Sequence, residues 1–492
     1  MKIIDLVLNS LTMYRLMLYY LIFLTCCAAI LGFLKILQYD PVDIITSSIY
    51  LLFICWITNK VLAKIFKVST NPESSLITGL ILSLIIGPVS PLSNPILLSF
   101  AALLAMSSKY LIAWKGRHIF NPAGFGIVAS ALLLGQGASW WVGTPAMLVP
   151  TLLGGFLIVK RLRRYELVGT FLLTYIILSF IIYNLSFISL LSSPIIFFTL
   201  VMLIEPLTSP PYKRTQVIYS LLVVVMIFIY QKLLPDIFYN LELSLLTGNI
   251  FSYLLSGSFR QVMRLKEKRK ISHDVIAFIF EPWKKFQYKS GQFLEWTLSH
   301  PNPDNRGVRR FFTISSSPTE NFIMLSSKFY DPAPDGTGPS TFKQALSKLE
   351  PGDEIIISDL GGEFSLPEDQ DKKLVFIAGG IGVTPFRSMV KWMIDTGESR
   401  DIVLLFSNKT KEDIVFKDIF DAGEKLGVRT VYINTESQGY IDEALIKKGV
   451  PDWKARMFYV SGPEPMVEAF EKMLYGMGLK KNQVKRDYFP GY

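Results

Sequence analysis

Arg310-Phe311-Phe312-Thr313-Ile314-Ser315-Ser316 alternates an arginine, aromatics and hydroxyls in a β-like run. In an extended strand residues two apart share a face, so Arg310 and Phe312 point one way and Thr313 the other. Arg310 offers a planar fork suited to a phosphate. Phe312 offers a flat surface for a ring system. A flavin nucleotide has both parts, and Ile314 and Ser315 are taken with the run as contacts to it. The competing reading is an ordinary strand with a chance Arg-x-Phe-Thr. That reading loses ground to what lies on either side: Gly379-Gly380-Ile381-Gly382-Val383-Thr384-Pro385 downstream and a long apolar half upstream.

The chain has 492 residues, which makes two or three domains the expectation. Half of them (50%) are hydrophobic, too many for a wholly soluble protein, and the excess lies before about residue 257. A net charge of +10 invites a nucleic-acid partner. Its placement argues otherwise, because many basic residues fall between apolar spans, where a positive-inside bias accounts for them. Cys26, Cys27 and Cys55 all lie in apolar spans, with no Cys-x-x-Cys and no zinc or soluble iron–sulfur spacing. They read as small hydrophobes in helices, with a membrane cluster shared with another subunit as the alternative. The first apolar segment is long and lacks a small-residue cleavage site, which argues against a cleaved leader.

About twenty apolar residues cross a bilayer. Ten spans are expected, near 14–36, 42–63, 74–89, 95–113, 119–136, 146–160, 166–184, 188–204, 215–233 and 242–257. Lys60, Lys64 and Lys67 share one loop. Lys109, Lys115 and Arg117 share the next but one, followed at the same interval by Lys160, Arg161, Arg163 and Arg164, then Lys213 and Arg214, then Arg260, Arg264 and the Lys266–Lys270 run. The intervening loops 87–94, 135–144 and 184–193 carry no basic residue. Both termini and the C-terminal half are therefore expected in the cytoplasm, on a multi-pass cell-membrane protein. Span three ends in Gly87-Pro88-Val89-Ser90-Pro91 and span eight in Glu205-Pro206-Leu207-Thr208-Ser209-Pro210-Pro211. Span five opens with Asn121-Pro122-Ala123-Gly124 and span ten with Thr247-Gly248-Asn249. The pairs match with opposite orientation, as in an inverted repeat of five plus five helices.

His118-Ile119-Phe120-Asn121-Pro122-Ala123-Gly124-Phe125-Gly126 and Glu205-Pro206-Leu207-Thr208-Ser209-Pro210 resemble the B subunit of sodium-pumping NADH:quinone reductase and the D subunit of the Rnf complex, over roughly 60–257. That resemblance implies ten helices, an inverted repeat and flavin handling in the membrane, by FMN or riboflavin. The family's covalent FMN threonine lies in a Ser/Thr-Gly-Ala-Thr motif that is absent here. The nearest match is Thr144 in Gly143-Thr144-Pro145.

Residues 258–270 read as a basic hinge at the lipid headgroups. Strands are expected at Val275–Phe280, Gln292–Leu298, Arg310–Ser315, Ile323–Ser327 and Glu354–Ser358, with turns such as Pro351-Gly352-Asp353 between them. They suggest a small antiparallel barrel. Gly338, Ser340 and Thr341 precede a short helical pattern, a phosphate cradle or simply a capped helix start. The run 373–378 then enters Gly379–Pro385 and a helix, Phe386–Thr396. Strand, glycine turn and helix is the context in which such glycines approach a pyrophosphate. Two more units follow, Ile402–Ser407 with Ile414–Leu426 and Met457–Val460 with Glu464–Tyr475. Ser461-Gly462-Pro463 closes the last strand and is expected in the same cleft.

These motifs, with Asp487-Tyr488-Phe489-Pro490-Gly491-Tyr492, resemble the ferredoxin-NADP reductase family over about 275–492, in particular the reductase module of the F subunit of sodium-pumping NADH:quinone reductase. The resemblance implies that Arg310 holds the FAD pyrophosphate, Phe312 packs on the flavin and Thr313 bonds near its N5. It implies that Gly338, Ser340 and Thr341 meet the flavin phosphates, and that Gly379, Gly380, Gly382, Thr384, Pro385, Gly462 and Pro463 hold NADH or NADPH. Thr313, Ser461 and Asp487 are expected at the reacting end, and Phe489 among the flavin contacts. Phe312 stands where tyrosine is commoner, and Ser461 where cysteine is often found. Ser407 and Lys409 sit where a 2′-phosphate would bind, which leaves the choice of nucleotide open.

The expected architecture is thus multidomain: a ten-helix transmembrane domain over 1–257, a basic linker over 258–270, an FAD-binding β-barrel over 271–368 and an NAD(P)-binding α/β domain over 369–492. The expected function is NAD(P)H oxidation at a cytoplasmic FAD, with electrons passed to a membrane flavin or quinone and cation translocation or further redox subunits as open additions. The alternative is a flavin or ion transporter with a tethered reductase, in which Glu205 is the acid placed for a coupling ion or a capped helix end. A haem-bearing reductase is disfavoured, since His118, His273 and His300 are the only histidines.

Overall fold

A computed structural model describes residues 12–66, 72–91, 93–114, 117–184, 194–210, 213–235, 237, 239–255, 261–301, 303–304, 308–329 and 340–487. The chain divides into two compact units, Met1–Gly257 and Ser258–Tyr492.

Among the described residues the first unit has ten helical segments: α1 (Met13–Phe33), α2 (Pro41–Phe66), α3 (Pro72–Ile85), α4 (Pro95–Leu111), α5 (Pro122–Leu134), α6 (Pro145–Leu162), α7 (Tyr165–Tyr183), α8 (Ile195–Phe197, continued by a π-helix, Phe198–Leu203), α9 (Lys213–Leu233) and α10 (Asn240–Leu255). Prolines open many of them, where the missing N–H has no intrahelical partner to lose. Five, α1, α2, α6, α7 and α9, are long and apolar enough to cross a membrane by length and composition. The expected ten spans are therefore corrected to five candidates. Helices such as α3 and α5, at 14 and 13 residues, are cut short by Gly87-Pro88 and by Asn121-Pro122. Helix α7 leaves Leu173, Ile177, Phe180 and Ile181 exposed. Thr247-Gly248-Asn249, expected as a break, lies inside α10. Its glycine serves packing: a Cβ on Gly248 would come within 2.5 Å of Val223 Cγ2 on α9.

A small polar network interrupts this apolar interior. Asn121 caps α5, its Oδ1 accepting from Gly124 N at 3.0 Å. Its Nδ2 donates to Glu205 Oε2 at 2.8 Å, and Thr208 Oγ1 donates to the same oxygen at 3.0 Å. Asn249 Oδ1 accepts from Asn121 N at 2.8 Å. Lys109 Nζ donates to Ser74 Oγ and Thr78 Oγ1 at 3.0 and 3.1 Å.

In the first unit two short strands, β1 (Ala113–Trp114) and β2 (Arg117–His118), pair antiparallel between α4 and α5. The second unit contains two sheets. The first is antiparallel, in the order β6-β5-β8-β3-β4-β7, from β3 (Gln261–Lys270), β4 (Val275–Pro282), β5 (Phe293–Thr297), β6 (Arg309–Thr313), β7 (Ile323–Lys328) and β8 (Glu354–Gly361). All five expected strands are present. The sheet curls until its edges meet: Ser315 N, just past β6, donates to Met324 O on β7 at 2.8 Å. Strand β3 corrects the expected basic hinge from Gln261 onward. Its alternation was hidden by charge: Met263 and Leu265 are buried, whereas Arg264, Lys266 and Lys268 point outward to Glu354, Glu281 and Glu350. Residues 258–260 lie outside the described residues.

The second sheet is parallel, in the order β11-β10-β9-β12-β13, from β9 (Leu374–Gly379), β10 (Ile402–Asn408), β11 (Val428–Asn434), β12 (Met457–Ser461) and β13 (Val484–Asp487). Strands β9, β10 and β12 match expectation. Edge strands β11 and β13 depart from expectation: both are only partly buried, and β13 has just four residues. The two sheets share one apolar core, in which Ala277, Ile279, Met324 and Phe364 pack with Phe376, Phe386 and Met389.

Candidate functional site

Strand β6 carries Arg310 opposite Trp296 and Thr313 opposite Phe293 on β5. Arg310 is 2% exposed. Its Nη2 lies 3.2 Å from Asp304 Oδ1, and its guanidinium carbon 5.3 Å from the Phe342 ring centre. The Phe312 ring stands 5.9 Å from that of Phe342. Phe342 belongs to helix α11 (Thr341–Lys348), which Ser340 caps through Oγ and Lys343 N at 3.3 Å. Asp304 Oδ2 accepts from Thr341 N at 3.2 Å. One carboxylate therefore bridges the arginine fork and the N-terminus of a helix, the arrangement that binds a phosphate. Asp304 is thus the anion that these two donors share in this structure. Asp304 and Phe342 escaped the sequence reading, since nothing in Pro303-Asp304 marks a contact six residues on. Gly338 and Phe489, expected at the flavin, lie outside the described residues.

Strand β9 runs into a 3₁₀ turn, Gly380–Val383, and then helix α12 (Thr384–Thr396). Gly380 has φ +52, a left-handed backbone that glycine adopts without strain. Neighbouring β12 brings Ser461-Gly462-Pro463 to the same end. The two turns touch: a Cβ on Gly382 would lie 2.5 Å from Gly462 Cα and 2.6 Å from Ser461 O. Gly379, Thr384 and Pro385 complete that end of the cleft, and Ser407 pairs with Gly379 across β10 and β9. Lys409 points to Glu436, at 3.5 Å.

Three residues expected at the reacting end converge from three strands. Ser461 and Asp487 pair across β12 and β13. Thr313 Oγ1, at the end of β6, lies 3.5 Å from Asp487 Oδ2. Burial pushes the Asp487 carboxyl up to about 7, against a smaller pull downward from the Thr313 hydroxyl. The Ser315 hydroxyl is fully buried and without a partner among the described residues. Thr144 is in the other unit, beside a small cavity lined by Gly143, Thr151 and Phe197.

Two family models match this unit. The Oxidoreductase FAD-binding domain covers residues 262–365 and the Oxidoreductase NAD-binding domain residues 376–472. The glycine betaine monooxygenase reductase subunit of Chromohalobacter salexigens is 27% identical over 216 residues, 42% of this chain and 56% of that protein. NADH oxidoreductase HCR of Escherichia coli is 26% identical over 200 residues, 40% of this chain and 58% of that protein. The chain thus spans little more than half the length of these relatives. NADH-cytochrome b5 reductase 1 of Pyricularia oryzae is 28% identical, over 45% of this chain and 75% of its own length. The cytochrome b5 reductase domain of Ulva prolifera nitrate reductase is 24% identical, covering 46% of this chain and 97% of that one, at a TM-score of 0.42. The C-terminal half of the chain is an FAD- and NAD-binding oxidoreductase module of the ferredoxin reductase family.

Proposed function

We propose that the chain oxidises NADH or NADPH at an FAD held by the C-terminal unit and passes the electrons to a flavin or quinone in the N-terminal, membrane-spanning unit. The observation that carries this reading is the convergence of Thr313, Ser461 and Asp487 where the flavin strand meets the glycine turn. Bound FAD supplies the chemistry, accepting a hydride from nicotinamide C4 at its N5 and handing electrons on. Arg310 and Thr341 N would hold its diphosphate, and Phe312 would support the ring. Gly379, Gly380, Gly382, Thr384, Pro385, Gly462 and Pro463 admit the nicotinamide dinucleotide. Below about pH 7 Asp487 is neutral, so no carboxylate charge faces the reacting end.

Curated relatives are named as reductase subunits, and here a helical unit in the same polypeptide takes the place of a separate acceptor. The acceptor reading is supported by a pocket whose polar edge is Ser74, Thr78, Asn121 and Glu205 and whose remainder is mostly apolar. The two motifs behind the N-terminal resemblance meet there, through Asn121 and Glu205. A second reading, a flavin or ion carrier with a tethered reductase, draws on the same pocket. Steady-state oxidation of each nucleotide with a water-soluble quinone in purified membranes tests the first reading, and nucleotide-independent activity rejects it. A flavin extract separates its two forms: one FAD per chain indicates direct quinone reduction, and a second flavin indicates internal transfer.

A further inference from the structure

Resting on that reading, we infer that Arg387 and Glu320 are positioning residues whose ion pair sets the spacing between flavin and nicotinamide. Arg387 lies three residues past Thr384, on the helix that the glycine turn opens. Glu320 lies in the turn between β6 and β7, in the segment that continues the flavin strand. The contact is bidentate: Arg387 Nη2 reaches Glu320 Oε1 at 2.9 Å and Nη1 reaches Oε2. Nη1 also donates to Ser315 O at 3.1 Å, and Ser388 Oγ donates to Ser316 O at 2.6 Å. Glu320 Oε2 accepts in turn from Ser317 N at 2.7 Å. Arg387 is 6% exposed, and Ser315, Ser316 and Ser317 are fully buried. Most of this set therefore lies away from water, with the Glu320 carboxylate only slightly exposed.

The shared apolar core already holds the two sheets together, but apolar contact has no preferred direction and tolerates sliding. A planar fork on two carboxylate oxygens does not. Hydride transfer depends steeply on reactant placement, and a shift of about 1 Å can cost about 100-fold. The clamp joins the strand bearing the flavin contacts to the helix behind the nicotinamide turn, so its loss should appear in the chemical step. Lysine at 387 keeps the charge and loses the fork.

The test uses the full-length protein loaded with FAD. Flavin content, KM for NADH, the single-turnover rate of flavin bleaching and the long-wavelength charge-transfer absorbance are compared for the parent, Arg387→Lys and Glu320→Gln. The expected result is parental FAD content, a KM within about threefold of the parent, bleaching slowed about 10- to 100-fold and a weakened charge-transfer band. Parental bleaching and a parental band in both variants overturn the inference. Should Arg387→Lys lose its FAD, Glu320→Gln decides. FAD loss from both also overturns it, because the pair would then be holding the flavin fold and not the spacing. A parent that neither NADH nor NADPH bleaches is a different failure, that of the reading beneath.

Discussion

The two units treat polar groups in opposite ways. In the C-terminal unit, hydroxyls, carboxylates and glycine turns collect at strand ends, where Thr313, Ser461 and Asp487 come together. In the N-terminal unit the longest helices turn apolar side chains outward, and a compact network ties Asn121, Glu205 and Asn249 to one another. A soluble sheet can place polar atoms wherever water or a ligand reaches them. A helical bundle suited to lipid must tie each one to another. If electrons cross from the first kind of environment to the second, damage to one unit should be separable from damage to the other.

The largest expected effect is from Arg310→Ala. It leaves Asp304 beside a cavity and removes a diphosphate anchor. Asp304 is partly exposed and keeps its bond from Thr341 N, so the loss of its partner costs about 1–3 kcal/mol. The purified variant should be nearly colourless and its helical unit intact, and retained yellow colour would break the assignment. Gly382→Ala comes next. Its Cβ would sit 2.5 Å from Gly462 Cα, where overpacking costs about 1–3 kcal/mol. FAD content should hold while NADH oxidation falls with every acceptor. Glu205→Gln sharpens the comparison from the other side. Asn121 Nδ2 and Thr208 Oγ1 would then face an amide, at a cost of about 1–3 kcal/mol. Quinone reduction should fall while NADH-dependent reduction of a soluble dye such as ferricyanide is unchanged. A parallel loss of both would show that the units do not act separately.

The smallest effect concerns Asp487→Asn. The folded carboxyl is raised from 3.8 to about 7, so the folded state binds a proton that the unfolded chain has already released between those values. Stability contributed by this group therefore falls as pH rises through that window and levels off above it. Melting temperatures of the parent and the asparagine variant should draw apart, in the variant's favour, from about pH 4 to pH 7. A constant difference would remove Asp487 as the titrating group.

Much of the C-terminal fold was legible because strands, glycine turns and helices alternate with clear periods. Leu374–Gly379 is buried throughout and Ile402–Asn408 at every position but Ser407, and such runs announce themselves. Strand β3 was missed because Arg264, Lys266 and Lys268 outweigh the two buried residues that define its inner face. The site was legible where one motif supplies several contacts, as at Arg310–Thr313 and Gly379–Pro385. It was not where contacts come from afar, as with Asp304, Phe342 and the Arg387–Glu320 pair. In the helical unit hydropathy located the segments but overcounted the crossings. A proline- or glycine-bounded run such as α5 has a span's composition without its length.

The bridge that Asp304 makes between Arg310 and Thr341 has a consequence for assembly. The chain keeps no bare cation at this point of its interior, because Asp304 is tethered beside Arg310. On the proposed reading, loading is an exchange of one anion for another, with the tethered carboxylate as the competitor of the incoming dinucleotide.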